Sequence, residues 1–303
     1  MSRIHEALKR AEQERVHART GSFPASPELS QAVAAIEAVT PEPVAPPIAN
    51  PVGTSKPAGP WSFEDLLSRR RPHPTWNPDQ DMDVFDAGKS EHGAEQFRTL
   101  RSRLYHIRNQ QPLRTLLITS SMAGEGKTFV TSNLVRSIIR QTERRVLMID
   151  ADLRRPRLHT IFGTPTQPGL TDYLRGNVDE SAILQFGETG NLCFIPSGTR
   201  VKDPSELLSN GRMKTLLEKL SPAFDWVIID SAPCLPVADA GVIAPSCDGV
   251  LLVVRARYTP SAVIAKSRQE LKGRNIVGVV LNAVDGSGSS YGSYYGGYGE
   301  SAA

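Results

Sequence analysis

The chain is predicted to fold as an α/β domain, a mostly parallel β-sheet flanked by helices and preceded by a disordered N-terminal extension. Three observations carry this expectation. Short apolar runs of strand length recur at Leu116-Leu117-Ile118, Val146 to Ile149, Val227 to Ile229, Val250 to Val254 and Ile276 to Leu281. Such runs read as strands buried on both faces. Helical patterns lie between them, over Lys127 to Arg140, Glu206 to Leu220 and Ala262 to Leu271, and this alternation gives parallel strands with right-handed crossovers. Residues 20–85 hold roughly half of the 23 prolines, a density that builds neither a helix nor a ladder.

Composition narrows the class. A chain of 303 residues can hold one large or two ordinary domains, and 39% hydrophobic with 22% charged residues fits a soluble protein. A net charge of +3 is too small to argue for nucleic acid, so no nucleic-acid partner is expected. Cys193, Cys234 and Cys247 are odd in number and lack metal-ligand spacing, which points to a reducing cytoplasm. The opening M-S-R-I-H-E-A-L-K-R has no signal-peptide core. No window approaches the ~18 apolar residues of a membrane span. The expectation is a cytoplasmic chain, brought to a membrane only by a partner.

Four segments follow in order. Residues 1–18 read as a short amphipathic helix, capped by Ser2, with Ile4, Leu8 and Ala11 on one face. It could dock on a partner or fray as a tail, since so short a helix is marginal alone. Residues 19–88 read as a Pro-rich disordered linker, most plainly from Pro41 to Pro51. Arg69-Arg70-Arg71, near Trp61 and Trp76, is either a solvated charge run or a contact with anionic lipid or a partner. The folded domain is expected over 89–285. Near its start Glu95, Arg98 and Arg101 recur every three residues, close to one helix stripe. That stripe is either an exposed, salt-bridged face or a contact with carboxylates of a neighbouring subunit.

The chemistry concentrates after the first strand, where S-S-M-A-G-E-G-K-T runs from Ser120 to Thr128. A strand, a glycine-containing turn and then a helix is the context that a phosphate-binding loop requires. Backbone N–H groups of such a turn point inward, and the helix N-terminus adds partial positive charge. The usual spacing is G-x-x-x-x-G-K-[ST]; Ser121 takes the first glycine position while Gly126-Lys127-Thr128 is intact. The domain is therefore P-loop NTPase-like. The nucleotide is expected against Ala123, Gly124, Glu125, Gly126, Lys127, Thr128 and Phe129, with Lys127 on the β/γ-phosphates and Thr128 on Mg²⁺.

The second strand runs into D-A-D-L-R-R-P, and alternate residues of an extended chain share a face, so Asp150 and Asp152 project together. They stand where ligands bind in open α/β sheets, able to hold Mg²⁺, its waters or an attacking hydroxyl. Asp150 is the first choice to orient that hydroxyl, with Asp152 the alternative. Asp230 closes another apolar run, the arrangement in which an aspartate holds a water on Mg²⁺. Metal ligation is thus expected from Thr128, Asp152 and Asp230, and catalysis from Lys127, Asp150, Asp152 and Asp230. Asn282-Ala283-Val284-Asp285 lacks the lysine of a guanine-reading N-K-x-D, which favours ATP over GTP, and Asn282 could face an adenine edge.

Residues 286–303 form a Tyr/Gly-rich flexible tail. Tyr291, Tyr294, Tyr295 and Tyr298 stand among glycine and serine with no core pattern. A Gly/Ser chain of about 15 residues reaches roughly 20 Å, enough to bring a tyrosine to its own or a neighbouring site. The tail is either low-complexity sequence or a set of phosphoacceptors.

Taken together these residues resemble the bacterial tyrosine kinases of capsule and exopolysaccharide synthesis, within the deviant Walker-motif, ParA/MinD-related P-loop proteins. The resemblance covers about residues 90–300. It rests on the E-x-x-R-x-x-R stripe, the S-x-x-G-E-G-K-T loop, D-x-D-x-R-x-P at Asp150 to Pro156, I-I-D-x-x-P at Asp230 and the tyrosine-rich tail. Pro204 to Leu208 and Asp239-Ala240 also fall where the family has similar blocks. The resemblance implies ATP- and Mg²⁺-dependent autophosphorylation of tail tyrosines in trans, within a homo-oligomeric ring built through Glu95, Arg98 and Arg101. It implies a membrane polysaccharide co-polymerase whose cytoplasmic segment activates the kinase, and a cognate tyrosine phosphatase. Ala123 departs from the proline that many members carry. The competing reading is a ParA/MinD-like ATPase, but the signature lysine of that group would stand at Met122. A nucleotide switch that acts by assembly alone is the third.

Overall fold

The computed structural model describes residues 60–69, 75–86, 88–89, 91–141 and 144–284. The helix expected over 1–18, the linker up to residue 59, Arg70, Arg71 and the tail tyrosines Tyr291, Tyr294, Tyr295 and Tyr298 lie outside the described residues.

Among the described residues seven strands build one sheet: β1 (Thr115–Ser120), β2 (Val146–Ala151), β3 (Gln185–Phe186), β4 (Leu192–Ile195), β5 (Trp226–Ser231), β6 (Gly249–Arg255) and β7 (Ile276–Asn282). Their spatial order is β3-β4-β2-β5-β1-β6-β7. Every pairing is parallel except β3 with β4. The five apolar runs of the sequence are β1, β2, β5, β6 and β7. The short pair β3 and β4 escaped notice, because two and four residues are too few to show a period.

The α-helices of the described residues are α1 (Phe63–Ser68), α2 (Glu91–Arg108), α3 (Lys127–Ile139), α4 (Leu158–Phe162), α5 (Leu170–Leu174), α6 (Pro204–Ser209), α7 (Arg212–Leu220), α8 (Asp239–Ile243) and α9 (Ser261–Glu270). The single helix expected from Glu206 to Leu220 is two. Gly211 adopts φ +83°, a left-handed turn that ends α6 and starts α7 on a new axis.

Alternation along the central strands sends successive side chains into two cores. Leu116, Ile118, Val146, Met148 and Ile228 enter one with Val130, Leu134 and Ile138 of α3. Leu117, Leu147, Ile149, Val227 and Ile229 enter the other with Leu216, Leu217 and Leu220 of α7. Burial on both faces is what all-apolar parallel strands require.

The linker expectation needs correction from residue 60 onward. Phe63 and Leu66 of α1 are buried, with Phe63 edge-on to Phe224 at 5.6 Å. Ser62 and Asp65 form a reciprocal cap that starts the helix. Trp76 is buried against Phe162 and Phe194. Asn133 of α3 accepts from the Val84 N–H and donates to the Met82 carbonyl, tying the next segment down. Proline density masked three aromatic and apolar anchors whose burial outweighs it. Arg69 lies over the Trp61 ring at 4.4 Å, so at least that arginine is engaged within the chain.

Candidate active site

β1 ends at Ser120 and the chain turns directly into α3. Ser121 is buried and has no left-handed backbone, so this turn needs no glycine at its first position. Gly124 and Gly126 do adopt φ +84° and +87°. At Gly126 a second constraint applies: a Cβ would lie 2.1 Å from Asn282 Nδ2. Asn282, at the end of β7, donates from Nδ2 to the Glu125 carbonyl at 2.9 Å. It braces the loop where an adenine contact was expected. Glu125 is also turned inward: its carboxylate accepts from the Met122 N–H at 2.6 Å and from the Thr259 hydroxyl. Ala123 and Gly124 are exposed at the loop's crest. Phe129, expected near nucleotide, packs edge-on against Phe97 of α2 at 6.0 Å.

Lys127 opens α3, and its Nζ lies 2.6 Å from Asp152 Oδ2 and 3.7 Å from Asp230 Oδ2. The Thr128 hydroxyl donates to Asp230 Oδ2 at 2.7 Å. Thr131, one turn on, reaches Asp230 Oδ1 at 3.4 Å. The register of β2 and β5 sets Asp150 directly beside Asp230. Asp150 Oδ2 accepts from the N–H groups of Arg157 at 3.2 Å and Leu158 at 3.1 Å, at the start of α4. Its Oδ1 is buried with no hydrogen-bond partner among the described residues. Asp152 Oδ1 accepts from the Arg155 N–H at 3.0 Å.

One cation and three carboxylates therefore share a small volume. Burial pushes Asp150 up to about 8, with the negative charge of Asp230 adding to the effect. Burial likewise raises Asp230, while Lys127 and the Thr128 hydroxyl pull it back. Burial alone would lower Lys127; Asp230 and Asp152 outweigh it and hold the ammonium above the usual lysine range. Such a cluster stabilises its charge by mutual pairing until a stronger set of charges arrives.

Arg154 donates to both oxygens of Asp239, at 2.8 and 3.1 Å, and to the Ser205 hydroxyl at 2.9 Å. This links the segment after Asp152 to α6 and α8, which carry Ser205 and Asp239. Thr131, Thr259 and the Arg154–Asp239 pair went unrecognised in the sequence. Only Thr131, four residues beyond Lys127 on the same helix face, offered a spacing from which to find it. Glu95 and Arg98 on α2 pair at 2.9 Å and face outward, whereas Arg101 turns inward to the Ser137 carbonyl at 2.5 Å.

Among the described residues no group of three or more His, Cys, Asp or Glu could hold a metal ion by itself. A Mg²⁺ bound with nucleotide phosphates needs only one or two protein ligands. The adjacent Thr128 hydroxyl and Asp230 carboxylate, with the unpartnered Asp150 Oδ1 nearby, fit that smaller demand. No helix of the described residues is long and apolar enough to cross a membrane.

Residues 116–293 match the CobQ/CobB/MinD/ParA nucleotide binding domain. The chain is 34% identical over 223 residues to the tyrosine-protein kinase CpsD of Streptococcus agalactiae, covering 73% of this chain and 94% of that one. It is 36% identical over 234 residues to the tyrosine-protein kinase Etk of Escherichia coli, covering 76% of this chain and 32% of that one. The solved kinase domain of Escherichia coli ETK superposes with a TM-score of 0.65 at 36% identity, covering 77% and 91% of the two chains. The chain spans about a third or less of the length of several curated relatives, 27% of the Acinetobacter johnsonii kinase Ptk among them. With its loop, its carboxylates and its sheet order in place, the chain belongs to the CobQ/CobB/MinD/ParA nucleotide-binding family and, within it, to the bacterial tyrosine kinases.

Proposed function

We propose that this chain is an ATP-dependent protein-tyrosine kinase that phosphorylates its own C-terminal tyrosines in trans within an oligomer. The observation that carries this reading is the cluster of Lys127, Asp150, Asp152 and Asp230 around the mouth of the phosphate-binding loop. ATP with Mg²⁺ supplies the transferable phosphoryl group and spreads its charge. Lys127 leaves Asp152 to meet phosphate oxygens, Thr128 and Asp230 hold the metal side, and the loop N–H groups cradle the phosphates. Asp150, with a free Oδ1, orients the tyrosine hydroxyl; Asp152, freed from Lys127, is the alternative for that role. The exposed Met122 stands where a ParA/MinD-like ATPase carries a cation, so the kinase reading is preferred.

Acceptors are Tyr291, Tyr294, Tyr295 and Tyr298, and oligomer contacts run through Glu95 and Arg98. By the same resemblance the kinase acts in capsule or exopolysaccharide polymerisation or export. It works at the inner face of the membrane with a polysaccharide co-polymerase that activates it and a tyrosine phosphatase that resets it. Incubation with Mg²⁺–ATP, followed by mass-spectrometric mapping of phosphotyrosine, tests the activity. Label on tail tyrosines that disappears when all four become Phe is the expected result; absence of phosphotyrosine, with ATP still hydrolysed, would favour the nucleotide switch.

A further inference from the structure

The segment after Asp152 and the turn after β4 enclose a pocket of about 410 Å³. Arg154, Arg155, Arg157 and Arg200 all line it, with Ser197 and Gly198. Arg154 is committed to Asp239. Among the described residues, no carboxylate lies within ion-pair distance of the guanidinium groups of Arg155, Arg157 or Arg200. Three unpaired cations gathered in one concavity repel one another, whereas a solvated charge run spreads over a convex face.

Ser197 supplies an independent sign of a missing partner. It is 3% exposed, it lines the pocket, and its hydroxyl makes no hydrogen bond among the described residues. Buried hydroxyls are rarely left in this state. The neighbouring turn is tightly fixed: Gly198 adopts φ +86°, and a Cβ there would lie 2.5 Å from Thr171 Oγ1. The Thr199 hydroxyl is already given to Asp172 at 2.7 Å. Ser197 Oγ and three guanidinium groups thus remain to meet a ligand that is anionic, rich in oxygen acceptors and small. A phosphate monoester has these properties, since arginine forks match its oxygens two at a time.

We propose that this pocket binds a phosphotyrosine of the C-terminal tail, from the same or a neighbouring copy of the chain. The choice of ligand rests on the tyrosine-kinase reading above. The tail itself supports it: Glu300 is the single acid in residues 286–303, so before phosphorylation almost nothing there attracts arginine. Each phosphate adds about −1.5 to −2 charges, and the tyrosine ring can lie on a guanidinium plane. The pocket begins at Leu153, directly after Asp152. A phosphate anchored there leaves a tyrosine three residues away within roughly 10 Å along an extended chain. Binding one product would then present the next acceptor, so that the first phosphate speeds the later ones.

The test uses the full chain with all four tail tyrosines changed to Phe, so that its own tail does not compete. A synthetic peptide of residues 286–299, phosphorylated at Tyr291, is titrated calorimetrically beside the same peptide unphosphorylated and inorganic phosphate. The phosphopeptide should bind at least about tenfold more tightly than either control. The exposed pair Arg157→Gln and Arg200→Gln should weaken it about tenfold or more while ATP affinity, which reports folding, is kept. Equal binding of the two peptides, or unchanged binding in that variant with ATP affinity intact, would overturn the proposal. Inorganic phosphate binding as tightly as the phosphopeptide would make the pocket a free-anion site and overturn the tail as its ligand. Because the peptide carries a synthetic phosphate, its binding is read without turnover; failure of the kinase reading would show separately, as ATP-dependent phosphotyrosine that never forms.

Discussion

The ammonium of Lys127 sits 2.6 Å from Asp152 Oδ2, with both side chains nearly buried. From sequence Lys127 reads as a solvent-facing phosphate ligand whose loss would leave the fold intact. The structure corrects this, because the ammonium also pairs with the buried carboxylates of Asp152 and Asp230. Lys127→Met should therefore abolish ATP-dependent phosphotyrosine and also destabilise the nucleotide-free protein, by about 3 kcal/mol at neutral pH. The folded-state pKa of Lys127 is raised, so its stabilising share is complete below its ordinary value of ~10.4 and fades only above that. Thermal melts of both proteins at pH 5 and pH 8 check this. The deficit should shrink at pH 5, where Asp150 and Asp230, both raised by burial, take up protons; an unchanged melting temperature at pH 8 would show that the pair contributes nothing.

Asp150 shifts in the same direction for a different reason. Its carboxyl is pushed up to about 8 in the folded protein, mainly by burial. A raised carboxylate favours folding in its protonated form, so this contribution is present at low pH and lost as pH rises through the folded value. Asp150→Asn keeps an oxygen for the Arg157 and Leu158 N–H groups and removes the charge. The variant should melt higher than the parent at pH 8 by a few degrees, about 2–4 °C per kcal/mol, and this advantage should shrink steadily as pH falls, vanishing only below the unfolded value of ~3.9. Phosphotyrosine formation should fall by orders of magnitude in the same variant if Asp150 orients the hydroxyl. Full activity in Asp150→Asn, with loss in Asp152→Asn, would pass the role to Asp152.

The loop and the strand-end aspartates were legible in the sequence because each is a local signal. An apolar run fixes a strand, and Asp150 and Asp230 follow two such runs directly. Parallel register then brings them side by side. What one sequence could not show was pairing at a distance. Asn282 and Gly126 are far apart in the chain, and only the ends of β7 and the loop make them neighbours. Arg154 with Asp239 and Glu125 with Thr259 are of the same kind. Trp76 was hidden for another reason, since its burial depends on Phe162 and Phe194, outside its own proline-rich surroundings.

The stripe on α2 separates into two environments that its spacing merges. Arg101 donates to the Ser137 carbonyl of α3, so it holds two helices of one chain together. Glu95 and Arg98 pair with each other on the open face. Glu95→Ala with Arg98→Ala should shift light-scattering mass toward the monomer and leave the melting temperature nearly unchanged, because exposed pairs contribute about 0–1 kcal/mol. Arg101→Ala should instead lower stability by about 1.5–3 kcal/mol, the range for a hydrogen bond from a charged donor. A stable Arg101→Ala that becomes monomeric would return this residue to the interface.

The contact between Gly126 and Asn282 gives a cycle in which strain and clash can be told apart. Gly126→Ala faces two penalties: a left-handed backbone, costing about 1–2 kcal/mol, and a methyl group 2.1 Å from Asn282 Nδ2. Asn282→Ala alone removes one hydrogen bond to the Glu125 carbonyl, about 1 kcal/mol, and loosens the loop. If the two effects were independent, the double variant would bind ATP worse than either single one. The geometry says otherwise, since deleting the Asn282 amide makes room for the new methyl. Gly126→Ala should lose most of its ATP affinity, Asn282→Ala should lose about fivefold, and the double variant should recover part of the Gly126→Ala loss. Titration with a fluorescent ATP analogue measures all three. A double variant as weak as the sum of the single ones would mean that φ alone governs this position, and that Asn282 touches the loop without shaping it.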